Sequence, residues 1–348
     1  MSTVIRFLPA NDDLGGVLED TLREHGVAFE REGNLVELHG SSDPARVVAL
    51  LRHVLSEAER RDLYVIEGEG RTYCRPATLD EWWRRMETVW FSRALRENRF
   101  GVWFQPIFDT RASAVMAHEC FVQLQAGRTY FQTEIFETAI ARHELHAFDS
   151  YARHLAVHSG ARQDPAGVFF IGLNTASVYR PQRCLAGTVA AIRDSGMAAA
   201  NVVFCVTEAE LIRDSAHVRR ICDFLRAQGC RVALSHVGAG VISASKIREL
   251  RPGFVKIHRT LVRNVEQPVC ASAVRKLAEL TERMESGLVA EGVERVQTME
   301  NLWLLGVECM QGFLFGRPAT IVTRPEQDLT NLTRVLEPSE SIPRLLCN

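Results

Sequence analysis

The chain has no apolar run near the roughly 20 residues that a membrane-crossing helix needs, so helical insertion into a membrane is excluded and a cytoplasmic location is expected. It has no excess of one charge: 41 Lys and Arg stand against 43 Asp and Glu, a net charge of −2. No general field therefore recruits nucleic acid or an anionic surface. The pairs Arg60–Arg61 and Arg219–Arg220 read as ordinary exposed faces, and no nucleic-acid partner is expected. The nine cysteines lack CxxC spacing and no leading signal segment precedes them, which points to buried free thiols in a reducing compartment. Low-complexity stretches and solenoid-type repeats are missing too. His143, His146, His154 and His158 crowd one segment, but no glutamate completes an HExxH pattern, so they read as a solvated helix face.

What is present is an ordinary globular composition, 46% hydrophobic and 24% charged over 348 residues, enough for one large domain and a small one. Residues 289–318 display the plan: an apolar run to Glu291, an amphipathic segment and a second apolar run to Gln311. This strand, helix, strand unit belongs to parallel sheets. Nearer the start, residues 4–8, 27–30, 35–39 and 63–67 read as strands, with a turn at Gly33–Asn34. A helix capped by Asp12 or Asp13 runs to about residue 25. Asp43 and Pro44 open another that runs to about residue 59. The order βαββαβ predicts a small ferredoxin-like α+β domain over residues 1–75. Leu79, Trp83, Met86, Val89 and Trp90 recur at helical spacing in a connecting helix over 76–100, its tryptophans read as core.

From residue 101 to 320, apolar runs recur at 102–108, 114–124, 169–173, 201–206, 231–234, 254–257, 287–290 and 307–310, most separated by segments of helical period such as Ala273, Leu277, Leu280 and Met284. Eight runs over about 220 residues predict a TIM-type (β/α)₈ barrel, which gathers its chemistry at the carboxyl ends of its strands. Glu119, Asn174, Cys205, Glu208, Ser235, His236, Lys256, His258, Glu291 and Gln311 follow or end those runs and are expected around one pocket. Residues 321–348 read as a last helix near 329–336 and a tail.

These segments together resemble the EAL family of cyclic di-GMP phosphodiesterases and their inactive relatives. FQPIFD at 104–109 resembles YQPIVD, HECFVQL around Glu119 stands in the place of EALLR, and LNTAS at 173–177 is similar to the NxS strand end. VTEAEL at 206–211, KIHRTLV at 256–262, AEGVE at 290–294 and QGFLFGRP at 311–318 continue in the family's order. The likeness covers about residues 97–320 and implies a modified barrel whose first strand runs antiparallel.

The resemblance also implies a site. Active relatives hold two divalent metals on hard oxygen ligands. Glu119, Asn174, Lys256, Glu291 and Gln311 keep their positions. Cys205 stands where a glutamate belongs, Ser235 and His236 replace two aspartates, and His258 replaces a third. A catalytically inactive chain is therefore expected, not an enzyme, with no metal, no cofactor and only a vestigial pocket. Its expected work is regulation in cyclic di-GMP signalling through a protein partner, with a homodimer among its forms. One alternative is a metal-independent cyclic di-GMP receptor using Gln105, Glu119, Gln123, Asn174, Glu208, Glu291, Glu294 and Gln311. Gln123 replaces the arginine that ends EALLR, a loss of about 1.5–3 kcal/mol in a phosphate contact. The other alternative is a phosphodiesterase with an unusual metal, zinc on Cys205, His236 and His258. Glu119, Glu291 and Lys256 pairing with one another is a further reading.

Overall fold

The computed structural model describes residues 4–39, 43–69, 72–126, 128–207, 213–238 and 244–322. The chain divides into two compact units, Met1–Glu97 and Asn98–Asn348. Of the helix and tail expected over 321–348, everything after residue 322 lies outside the described residues.

In the first unit the strands are β1 (Val4–Pro9), β2 (Phe29–Glu32), β3 (Leu35–Leu38), β4 (Leu63–Glu69), β5 (Thr72–Tyr73) and β6 (Ala77–Thr78). The helices are α1 (Asp12–Glu24), α2 (Pro44–Val54), α3 (Glu57–Asp62), α4 (Leu79–Glu87) and α5 (Val89–Arg96). The sheet order β2-β3-β1-β4-β5, antiparallel throughout, contains the split βαβ arrangement of a ferredoxin-like sandwich. Alternation along β1 turns Ile5 and Phe7 inward against Leu18, Leu22, Val48 and Leu51 of α1 and α2.

Local chemistry corrects several boundaries. Asn11, not Asp12 or Asp13, caps α1, accepting from Leu14 N at 2.9 Å. The helix expected to reach residue 59 is two helices, because Ser56 and Glu59 form a capping box that opens α3 anew. The helical segment after residue 78 also breaks, at Thr88. Its buried residues are Leu79, Trp82, Phe91 and Ala94, whereas Met86 and Val89 are exposed.

The second unit is built on β7 (Gly101–Asp109), β8 (Ala114–Ala126), β9 (Arg128–Tyr130), β10 (Phe169–Gly172), β11 (Val202–Thr207), β12 (Arg231–Val237), β13 (Phe254–Ile257), β14 (Gly287–Glu291) and β15 (Cys309–Gln311). Strands β10 to β15 run in parallel order, β7 pairs antiparallel with both β15 and β8, and β8 pairs parallel with β10. That pairing closes an eight-stranded barrel, and β7 is its reversed strand.

Around it lie α6 (Gln132–Ala141), α7 (Leu145–Gln163), α8 (Pro181–Cys184), α9 (Ala186–Asp194) and α10 (Ser215–Ala227). The circuit is completed by α11 (Ala244–Leu250), α12 (Arg259–Arg263), α13 (Pro268–Arg283) and α14 (Val296–Leu304). Both faces of these strands are buried, which is why the sequence shows continuous apolar runs. Ile107, Phe170, Val203, Cys205, Phe254 and Val289 fill the interior, while Phe169, Phe204, Val232 and Val255 pack outward under the helices.

Candidate functional site at the carboxyl ends of the barrel strands

Register brings the polar residues together before any side chain is considered. Gln105 lies opposite Glu119, Phe170 opposite Glu119, and Glu291 opposite Gln311. Gly312 tightens this end, since a Cβ there would fall 2.0 Å from Val293 O, so only glycine lets the chain turn in directly after Gln311.

At the centre, Lys256 is wholly buried with Nζ 2.7 Å from Glu119 Oε1 and 2.8 Å from Glu291 Oε1. The two carboxylates are 17% and 16% exposed. Burial presses the Lys256 ammonium toward neutrality. The charges of Glu119 and Glu291 overcome this and hold its pKa above the ordinary lysine range. Gln311 Nε2 donates to Glu119 Oε2 at 2.6 Å and to Gln105 Oε1 at 3.1 Å, and Gln105 Nε2 donates to Gly316 O at 3.1 Å. The amide oxygens Gln311 Oε1 and Gln123 Oε1 are buried without a partner.

The rest of the expected set falls at differing distances from this centre. Cys205 lies inside the barrel as a thiol, its pKa pushed up to about 12 mainly by burial, with Lys256 opposing and Glu119 adding to the rise. Ser235 is buried beside it. His236 stands at the mouth in a left-handed backbone conformation (φ 60°), with Nε2 4.0 Å from Glu291 Oε2 and its ring 5.6 Å from the His258 ring. His258 caps α12, its Nδ1 accepting from Thr260 N at 3.3 Å. Asn174 turns its Oδ1 onto Ala176 N at 3.1 Å.

Glu294 is not part of the cluster: it is exposed and accepts from Arg263 Nη2 at 3.0 Å. Glu208 lies outside the described residues. The histidine segment also departs from a plain solvated face, because His146 Nδ1 donates to Ser177 O at 2.7 Å and His154 is half-buried. Burial lowers the His154 pKa, helped by Arg153 and His158.

The residues present do not fit a pair of hard divalent cations, which need several anionic oxygens to themselves. Both carboxylates are bonded to Lys256 Nζ, Cys205 keeps its proton, and Ser235 offers a neutral hydroxyl. For the zinc reading, among the described residues no three of His, Cys, Asp and Glu converge as a metal site.

A polar centre of amides and a carboxylate-bound lysine thus lies at the carboxyl end of a barrel with one reversed strand, the end that carries the chemistry in (β/α)₈ scaffolds. The profile of the EAL domain matches residues 88–318, and this chain belongs to the EAL domain family. Cyclic di-GMP phosphodiesterase RocR of Pseudomonas aeruginosa is 31% identical over 138 residues, 39% of this chain and 35% of RocR. Cyclic di-GMP phosphodiesterase PdeF of Escherichia coli is 24% identical over 237 residues, 66% of this chain and 31% of PdeF. The chain thus spans about a third of the length of these relatives.

Among solved structures, the FimX EAL domain of Pseudomonas aeruginosa bound to cyclic di-GMP has a TM-score of 0.62 at 20% identity, covering 67% of this chain and 97% of that one. A cyclic di-GMP-bound standalone EAL protein of Vibrio cholerae has a TM-score of 0.59 at 24% identity, covering 66% and 97%. These likenesses carry the fold. The expectation that the chain is not an enzyme is corrected by its relatives, which are named as phosphodiesterases. Among the described residues, no helix is long and apolar enough to cross a membrane.

Proposed function

We propose that this chain acts in cyclic di-GMP signalling by binding the dinucleotide at the mouth of the barrel, without requiring a divalent cation. The observation that carries this reading is the convergence of Gln105, Glu119, Lys256, Glu291 and Gln311 at the carboxyl ends of the barrel strands, the end at which (β/α)₈ scaffolds bind their ligands. Family membership supplies the ligand class, and the firm hold of Lys256 on both carboxylates supports the metal-independent form. With Gln123 in the place of an arginine, a dissociation constant of order micromolar is expected. Occupancy is passed on, in this reading, to a protein partner.

Calorimetry with cyclic di-GMP in a chelator, repeated with magnesium and with calcium, tests the proposal. Saturable one-site binding of similar affinity in all three is the expected result. Absence of binding in every condition overturns the ligand, and tightening beyond about tenfold with metal overturns the metal independence. Chromatography of each titrated mixture reports whether the dinucleotide stays intact, and a pull-down with and without it tests the partner step.

A further inference from the structure

A second buried charge cluster lies on the helix side of β10. Asp149 and Arg153, one turn apart on α7, are 0% and 1% exposed, and Arg153 Nη1 donates to Asp149 Oδ2. The guanidinium also donates from Nε to Thr188 Oγ1 of α9 at 3.1 Å. Burial pulls the Arg153 pKa down to about 10. A buried ion pair adds little net stability over well-packed apolar residues of the same volume. What this one supplies is direction, because both Asp149 oxygens are aimed at a single turn. Oδ1 accepts from Asn174 N at 3.2 Å and Oδ2 accepts from Ser177 Oγ.

The same turn is held from two further sides. His146 of α7 donates to Ser177 O at 2.7 Å, and His217 of α10 donates from Nε2 to Thr175 O at 3.1 Å. Four residues at a strand end are thus tied to two helices by three side chains. A loop this short, left to itself, samples several backbone conformations, each carrying the Asn174 side chain somewhere else.

We propose that Asp149 is a positioning residue for Asn174, fixing that amide at the pocket mouth for a bound phosphodiester; this rests on dinucleotide binding at that pocket. The main test replaces the buried pair with apolar residues, Asp149→Leu with Arg153→Met. The variant is expected to keep a cooperative melt and to bind cyclic di-GMP about tenfold more weakly, with no further loss when Asn174→Ala is added. Asp149→Asn with Arg153→Met keeps an acceptor for Asn174 N and is expected to restore affinity. Full affinity in the folded apolar variant, or an undiminished further loss on adding Asn174→Ala, overturns the proposal.

If the apolar variant does not fold, Ser177→Ala removes one anchor without disturbing charge. A drop in affinity of about threefold is then expected, and none overturns the proposal. If the unaltered chain binds no dinucleotide, the functional reading falls and amide hydrogen exchange still decides the positioning. Loss of Asp149 is expected to speed exchange at Asn174 N–H at least about tenfold, and unchanged protection overturns it.

Discussion

In the N-terminal unit Asp80 lies between Arg52 Nε at 2.9 Å and Arg60 Nε at 3.2 Å, with all three side chains 23–36% exposed. In the barrel Lys256 lies between two carboxylates at 2.7 and 2.8 Å and is wholly buried. The two trios share a plan, one charge between two of the opposite sign. Water screens the first and pays most of its solvation, whereas the second depends on its partners alone. Charge held near water contributes little beyond local order. Charge taken into a barrel must be matched, and here it is matched at the carboxyl end of the strands.

Removing the central residue of the buried trio sharpens this contrast most. Lys256→Met is expected to cost about 3–5 kcal/mol, because Glu119 and Glu291 then face each other without a cation. Urea unfolding at pH 7 measures the loss. A change below about 1 kcal/mol would show that water reaches the trio and that the two regions do not differ.

Next in size is the contrast between a neutral and a charged contact at the pocket. Gln123→Arg is expected to tighten cyclic di-GMP binding about tenfold to a hundredfold, the equivalent of about 1.5–3 kcal/mol for a charged fork on phosphate. Calorimetry reads it directly. No gain in a folded variant would place the phosphates away from residue 123.

Eight barrel strands were legible in the sequence because strands buried on both faces give continuous apolar runs, and of the polar residues that end those runs Glu119, Lys256, Glu291 and Gln311 are bonded into one cluster. The reversal of β7 was not legible from pattern, since an antiparallel strand carries the same apolar run; family resemblance supplied it. The break at Ser56 lies in an S-x-x-E pattern, Ser56 to Glu59, whose capping bonds interrupt the helix although the apolar period continues across it. Asp149 and Arg153 look like a surface i,i+4 pair. Only their place in the buried stripe with Phe148, Ala152 and Ala156 marks them as interior, and sequence spacing alone does not say which face a long helix turns inward. Glu294, expected from motif position to bind ligand, is exposed and bonded to Arg263, a pairing that the motif does not announce.

Thiols extend the comparison to pH. Folded Cys205 keeps its proton to about 12, Cys309 to about 12 and Cys230 to about 11, all chiefly through burial. An unfolded thiol ionises near about 8.5, so between these values the folded state binds the extra proton. Stability is then full below about pH 8.5 and falls as pH rises toward the folded values, by up to about 1.4 kcal/mol per pH unit for each thiol. Lys256, its pKa also raised, adds a loss of the same sign at still higher pH. Urea unfolding at pH 7, 9 and 10 tests the slope, and Cys205→Ala is expected to make it shallower. At pH 8 a thiol reagent should modify exposed Cys74 of the N-terminal unit at once and leave Cys205 untouched until unfolding.

The smallest effect belongs to the exposed trio. Burial raises the Asp80 pKa, but hydrogen bonds from Arg52 and Arg60 and their charge outweigh it, so the carboxyl titrates below its usual range. A lowered carboxylate contributes stability above its unfolded pKa of about 3.9 and loses it as pH falls through the folded value, so the contribution is present at pH 7 and disappears only in acid. Partial exposure discounts it further. Asp80→Asn is therefore expected to cost less than about 1 kcal/mol at pH 7 and progressively less as pH falls below about 3.9, with most of the loss removed by high salt. Arg52 also stacks on Trp83 at 5.1 Å from the ring centroid, a contact that the substitution leaves in place. Unfolding of the N-terminal unit followed by tryptophan fluorescence, at low and high salt, measures the difference. A cost matching that of Lys256→Met would mean that exposure does not set the worth of these charges, and the contrast between the two trios would then need another cause.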